Sequence, residues 1–90
     1  MKHLSINITG KVHGVYYRAS TKQKADELNL KGTVKNLSNG SVQIEVVGAE
    51  QVLQKFIAWC QEGPERAEVQ AVNCVESEMK NDYLGFEIVR

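Results

Sequence analysis

Several features are scarce in this sequence, and each scarcity excludes a class of protein. The 90 residues include one proline and two cysteines, and eleven acidic side chains balance the eleven basic ones. No apolar run approaches the roughly 18 residues that a membrane-spanning helix needs. A chain without net charge lacks the positive surface of a general nucleic-acid binder. We therefore expect a globular domain that binds neither membrane nor nucleic acid, so any anion must be held by a local site.

The cysteines and histidines do not form a metal-binding pattern. Cys60 and Cys74 make no CxxC pair, and His3 and His13 lie ten residues apart in different segments. We expect no metal, no cofactor and no thiol nucleophile with a partner histidine. The N-terminal stretch MKHLSINITG has no basic region followed by an apolar block, so it predicts no secretory signal. A cytoplasmic location, with both thiols reduced and buried, is the resulting expectation.

Hydrophobic periodicity predicts the order β-α-β-β-α-β with one further short strand. Leu4, Ile6 and Ile8 alternate with polar residues as in a half-buried strand. Asn39-Gly40 between two alternating segments predicts a β-hairpin. The remaining elements are helices over 19–30 and 50–61 and strands over 32–36, 42–47, 69–74 and 83–89. In the strand over 69–74 we expect a bulge near Ala71 and expect Cys74 to face the core. In the strand over 83–89 we expect Phe86 and Ile88 to face the core.

Two βαβ halves joined by a hairpin form the ferredoxin-like sandwich, an α+β fold with two helices packed on one face of an antiparallel sheet. We expect residues 1–90 to make one such domain, because the chain is long enough for a single core. In this fold the junction between the first strand and the first helix lies at one end of the sheet. A ligand bound there would contact amides at the helix start and side chains of a neighbouring strand.

That junction reads GKVHGVYYR over residues 10–18. Paired glycines between a strand and a helix bring backbone amides close to a ligand, and an anion is the usual one. A tight turn followed by a solvated arginine is an alternative interpretation of the same residues. The glycines alone do not decide between the two interpretations.

Two spaced signatures give the chain a resemblance to a known family. Residues 10–18 match the pattern G-x-V-[QH]-G-V-x-[FY]-R throughout. A second pattern, G-aromatic-V-[KR]-N-x-x-x-G-x-V with a further glycine, is matched by Gly32, Val34, Lys35, Asn36, Gly40, Val42 and Gly48. Over essentially its whole length the chain resembles the acylphosphatases. Thr33 departs from the pattern, because the family usually has Trp, Tyr or Phe there, and this puts packing or stability near the site in question.

The resemblance implies a hydrolase that cleaves the carboxyl–phosphate anhydride of small acyl phosphates by direct attack of water. No metal and no covalent intermediate would take part, and inorganic phosphate or sulfate would compete with the substrate. Arg18 is the expected phosphate clamp, and Asn36 is expected to orient the attacking water. The backbone amides expected to line the same oxygens are those of His13, Gly14, Val15, Tyr16 and Tyr17. A monomer is the expected state.

Other functions of the same fold stay open from the residues alone. The main alternative is a non-catalytic module that binds phosphate or carbamoyl phosphate. A related alternative is such a domain inside a larger maturation enzyme, and the chain length counts against that one. An RNA-binding module needs aromatic residues on strands 1 and 3. The outward positions of those strands are instead Ser5, Asn7, Gln43 and Glu45.

Overall fold

The computed structural model describes residues 1–78 and 83–89, and these form five strands and two helices. The elements in chain order are β1 (Lys2–Lys11), α1 (Tyr17–Glu27), β2 (Lys31–Asn36), β3 (Val42–Gly48), α2 (Glu50–Glu62), β4 (Glu68–Ser77) and β5 (Phe86–Val89). Neither helix has the length and apolar character that crossing a membrane requires.

The predicted ferredoxin-like plan is confirmed, and the extra strand completes a mixed sheet. The strand order is β4-β1-β3-β2-β5. The pairs β1–β3, β1–β4 and β2–β3 are antiparallel, whereas β5 runs parallel to β2. In that register Val34 pairs with Ile88 and Lys35 pairs with Val89. The end of β5 therefore lies beside the end of β2, where Asn36 is the last residue.

Alternate residues of the central strands fill the core between the sheet and the helices. Ile6 and Ile8 of β1 are fully buried, and α2 contributes the stripe that its spacing predicts. Burying one such side chain stabilises the fold by roughly 1.5–3 kcal/mol. The other apolar residues of this layer at 0% exposure are Ala25, Val34, Val42, Ile44, Val46, Phe56 and Cys60.

Two residues predicted to face the core are exposed, and each lies on an edge strand of the sheet. Cys74 is exposed because β4 is an edge strand, and only its earlier residues Val69 and Val72 pack against the core. Ile88 is 39% exposed, whereas Phe86 of the same strand is 3% exposed. The prediction that the two cysteines are both buried is thus wrong for Cys74, although both thiols are free as expected.

The bounds of several elements also differ from those that the periodicity predicts. α1 begins at Tyr17, ahead of the predicted residue 19, and ends at Glu27. The predicted β4 bulge near Ala71 is confirmed and falls at Gln70, because Thr9 pairs with Ala71 and Gly10 pairs with Val69. The last strand is shorter than 83–89 and begins at Phe86. Local periodicity does not report where hydrogen-bonded pairing starts and stops.

The helix-free face of the sheet is polar and internally hydrogen-bonded. Asn7 donates to Ser41 Oγ and to Gln43 Oε1, each at 3.1 Å. Gln43 donates to Ser5 Oγ at 2.7 Å, and Ser5 donates to Glu45 Oε1 at 3.1 Å. Stacking of RNA bases needs exposed aromatic rings, and these positions of β1 and β3 carry none.

Tyr17 and Cys60 connect the two helices in the core. The Tyr17 hydroxyl donates to the Cys60 carbonyl oxygen at 2.7 Å, and its ring lies 5.6 Å from the Trp59 ring. Burial raises the pKa of the Cys60 thiol to about 12 and also raises the pKa of the Tyr17 hydroxyl. Both groups are therefore neutral packing residues, and Cys60 offers no thiolate for catalysis.

This buried thiol gives the stability a dependence on alkaline pH. The ordinary thiol pKa is 9.0 and the folded value is about 12. Below 9.0 both states keep the proton; above it the unfolded chain loses the proton while the folded chain keeps it, so stability falls. We expect the wild type to lose about 1.4 kcal/mol more than Cys60→Ala between about pH 8 and about pH 10. Urea unfolding under reducing conditions measures this, and equal losses in the two proteins would contradict it.

Candidate active site

The loop between β1 and α1 has a backbone whose φ alternates in sign. Gly14 has a φ of 71° and Tyr16 a φ of 63°, whereas Val15 between them has a negative φ. Such alternation turns successive N–H groups toward one side and forms an anion-binding nest. Glycine adopts this conformation freely, but for a bulky residue such as Tyr16 it is strained, at a cost of about 1 kcal/mol or more.

The amides of this segment have no backbone partner among the residues that the structure describes. In the described part of the chain, no backbone N–H of residues 14–19 donates to a protein acceptor. Tyr16 is the N-cap of α1 and provides no side-chain cap, and the first turn carries no acidic residue. A helix start with unpaired N–H groups and a positive dipole end favours an anion.

A cavity of about 410 Å³ opens at this helix start. Its lining residues are Val12, Gly14, Tyr16, Tyr17, Arg18, Ala19, Asn36 and Ile88. The structure thus brings the end of β2 to the start of α1, and with it the two polar side chains that the sequence singled out. His13 and Val15 do not line the cavity, because Val15 is 5% exposed in the core and His13 faces the hairpin.

Arg18 and Asn36 each bring a polar group to the cavity that no described residue pairs. Among residues 1–78 and 83–89, the Arg18 guanidinium makes no ion pair with a carboxylate. The Oδ1 atom of Asn36 is buried and accepts no hydrogen bond in the same residues. An unsatisfied buried acceptor costs about 1–3 kcal/mol. Rotation of the amide about χ2 exchanges its two ends, so Asn36 can present either a donor or an acceptor to the cavity.

The acylphosphatase family model matches residues 4–88 of the chain. The chain belongs to the acylphosphatase family.

Individual acylphosphatases match it over nearly their full length. The acylphosphatase of Marinobacter nauticus is 48% identical over 79 residues, which are 88% of this chain and 86% of the relative. The crystal structure of acylphosphatase from Bacillus subtilis superposes with a TM-score of 0.95 at 32% identity and covers 100% of both chains. The chain also matches full-length HypF in its phosphate- and nucleotide-bound form, with a TM-score of 0.86 and 33% identity, over 99% of this chain and 12% of that protein.

The departure from the acylphosphatase pattern at Thr33 lies away from the cavity. Thr33 pairs with Glu45 and with Glu87 across the neighbouring strands. Side chains of a strand alternate between faces, so Thr33 and Asn36, three residues apart, project to opposite sides of the sheet. Thr33 therefore does not line the cavity.

Ile88 is a cavity residue that periodicity misplaced in the core. Its position follows from the parallel pairing of β5 with β2, which a single sequence does not reveal.

A separate depression of about 590 Å³ lies beside Lys11, Ser41 and Glu68. It carries a carboxylate and no arginine, so it suits an anion poorly. In the described residues no group of three or more His, Cys, Asp or Glu is placed to hold a metal ion.

His13 ties the acylphosphatase loop to the β2–β3 hairpin. Its Nε2 lies 2.8 Å from the Ser41 carbonyl oxygen, which can only accept, so Nε2 carries the hydrogen. We expect His13→Ala to raise the inhibition constant of phosphate several-fold, because the loop loses this tether, and to lower stability by about 1 kcal/mol. His13→Gln, whose amide can still donate, should keep both. Phosphate inhibition and urea unfolding of the two variants test this, and equal losses in both would show that the tether is not what matters.

Proposed function

We propose that the protein hydrolyses the carboxyl–phosphate anhydride of small acyl phosphates, giving a carboxylate and inorganic phosphate. One observation carries the proposal: backbone amides, the Arg18 guanidinium and the Asn36 Oδ1 atom line one cavity, and none of them has a partner among the described residues. Membership in the acylphosphatase family supports the same reaction. The direct test is release of phosphate from acetyl phosphate by the purified protein.

The phosphoryl group would be held by charge and by the helix start. The Arg18 guanidinium is always charged, and its planar fork can donate two parallel hydrogen bonds to phosphate oxygens. The amides of Gly14, Tyr16 and Tyr17, which line the cavity, would donate to the same group. Phosphoryl transfer spreads charge over three equatorial oxygens, so donors that are already in place stabilise the transition state.

A water positioned by Asn36 would attack the phosphorus opposite the leaving carboxylate. An amide is a weak base, so this role is orientation rather than proton abstraction. The leaving group has a pKa of about 4 and departs without a proton, so no general acid is required. No covalent intermediate is proposed, because the Tyr17 hydroxyl donates to the Cys60 carbonyl oxygen and burial raises the pKa of both the Tyr17 hydroxyl and the Cys60 thiol.

We expect turnover of acetyl phosphate to be unchanged by a chelator. The positive charge that the phosphoryl group needs comes from Arg18, and the leaving group needs no Lewis acid. The measurement is phosphate release with and without EDTA, using protein expressed without added metal. Activity that is lost with EDTA and restored by a divalent ion would contradict the proposed mechanism.

The second candidate is a module that binds phosphate or carbamoyl phosphate without turnover. The match to 12% of HypF favours it, since there the same domain is part of a much longer protein. Turnover separates the two, because a binding module would be saturated by phosphate yet release none from acetyl phosphate.

For the enzyme we further propose a cytoplasmic monomer, in keeping with its two free thiols.

A further inference from the structure

Two exposed apolar side chains share the cavity with the polar groups. Tyr16 is 75% exposed and Ile88 is 39% exposed. Both line the cavity that contains Arg18 and Asn36. They come from separate elements, since Tyr16 precedes α1 and Ile88 lies on β5.

Folding stability does not account for Tyr16. Its φ of 63° and ψ of 26° place a bulky aromatic in the left-handed region, where glycine or asparagine is favoured. It is also an N-cap that gives the helix no side-chain hydrogen bond. With three quarters of its surface in solvent, the ring gains little from burial. A residue that is strained, exposed and beside a site is a candidate for ligand contact.

The proposed phosphate site leaves room for such a contact. The phosphoryl group would point its oxygens at the amides and at Arg18, so the acyl substituent must leave on the side away from them. The exposed faces of Tyr16 and Ile88 are apolar surface on the same cavity. Covering this apolar surface with an apolar acyl group removes it from water and therefore favours binding, whereas a small polar acyl group provides no such contribution.

We propose that Tyr16 and Ile88 form an apolar subsite for the acyl substituent. This inference rests on the proposed hydrolysis of acyl phosphates. It assigns the substrate class as acyl phosphates with extended apolar acyl groups, in preference to acetyl or carbamoyl phosphate. The phosphoryl group is recognised by the polar part of the cavity, and the acyl group is selected by these two side chains.

The test compares acetyl phosphate with hexanoyl phosphate, whose alkyl carboxylate leaving groups have nearly equal basicity. The wild type should show a kcat/KM about tenfold higher for hexanoyl phosphate, mainly through KM. Tyr16→Gly and Ile88→Thr should each reduce that ratio several-fold. Tyr16→Phe, which keeps the ring, should preserve it.

Val89→Thr is the matched control, because Val89 is 37% exposed on the same strand but does not line the cavity. It should keep the wild-type ratio. Inhibition by inorganic phosphate verifies that each variant retains its polar site. A ratio unchanged in both Tyr16→Gly and Ile88→Thr, or a wild type that hydrolyses both substrates equally well, overturns the subsite. A wild type that hydrolyses neither overturns the proposed function instead.

Discussion

Replacing Arg18 by alanine is expected to lower kcat/KM for acetyl phosphate by about a thousandfold and to weaken inhibition by phosphate as well. The guanidinium would contact the phosphoryl group in the bound substrate and in the transition state, so binding and rate both depend on it. No carboxylate in the described residues pairs with Arg18. The fold should therefore tolerate the change, and urea unfolding should show little loss of stability.

Two further variants separate geometry from charge. Arg18→Lys keeps the charge but loses the planar fork, so it should not restore activity. Arg66→Ala removes an equal charge from an exposed position outside the cavity and should leave both constants near the wild-type values. If Arg66→Ala lost as much activity as Arg18→Ala, general electrostatic attraction would replace the clamp as the explanation.

The sequence predicted the fold wherever burial is one-sided and regular. Alternation of Leu4, Ile6 and Ile8 predicted β1, and the 3.6-residue spacing on α2 predicted a helix that is observed within one residue at its end. α1 was placed late because its N-cap is Tyr16, which carries none of the usual capping signals. A strained N-cap that leaves amides unpaired is invisible to rules based on stable helix starts.

The errors at Cys74 and Ile88 have one physical origin. Periodicity indicates which face of a strand a residue occupies, but not whether another layer covers that face. Cys74 is exposed on the edge strand β4, and Ile88 lines the cavity on the other edge strand, β5. Tertiary packing decides whether another layer covers a strand face. It also decides that β5 pairs with β2, which brings Ile88 beside the site.

The roles assigned to Arg18 and Asn36 came from the resemblance, because residue type and spacing alone allow a solvated arginine and a strand-end asparagine. The structure adds that both line one cavity. It also adds features that no pattern contains, namely the alternating φ signs of the loop and the buried Oδ1 without a partner. These features give the roles a physical reason.

Replacing Asn36 by alanine is expected to lower kcat for acetyl phosphate by about a hundredfold or more, with the inhibition constant of phosphate nearly unchanged. Orientation of a water matters for reaching the transition state, whereas phosphate alone is held by Arg18 and the amides. The variant also removes a buried acceptor that has no partner among the described residues. Its free energy of unfolding should therefore stay level or rise by about 1 kcal/mol.

Asn39→Ala is the matched control for this pattern. Asn39 Oδ1 accepts hydrogen bonds from the backbone N and the Oγ of Ser41, at 3.0 Å and 2.6 Å. Asn39→Ala should thus lose stability, by about 1 kcal/mol, and keep most of its kcat. Asn36→Ala should instead keep its stability and lose kcat. Steady-state kinetics, phosphate inhibition and urea unfolding of the two variants measure all three quantities. Weakened phosphate binding with an intact kcat in Asn36→Ala would mean that Asn36 holds the phosphoryl group and that the water is oriented by something else.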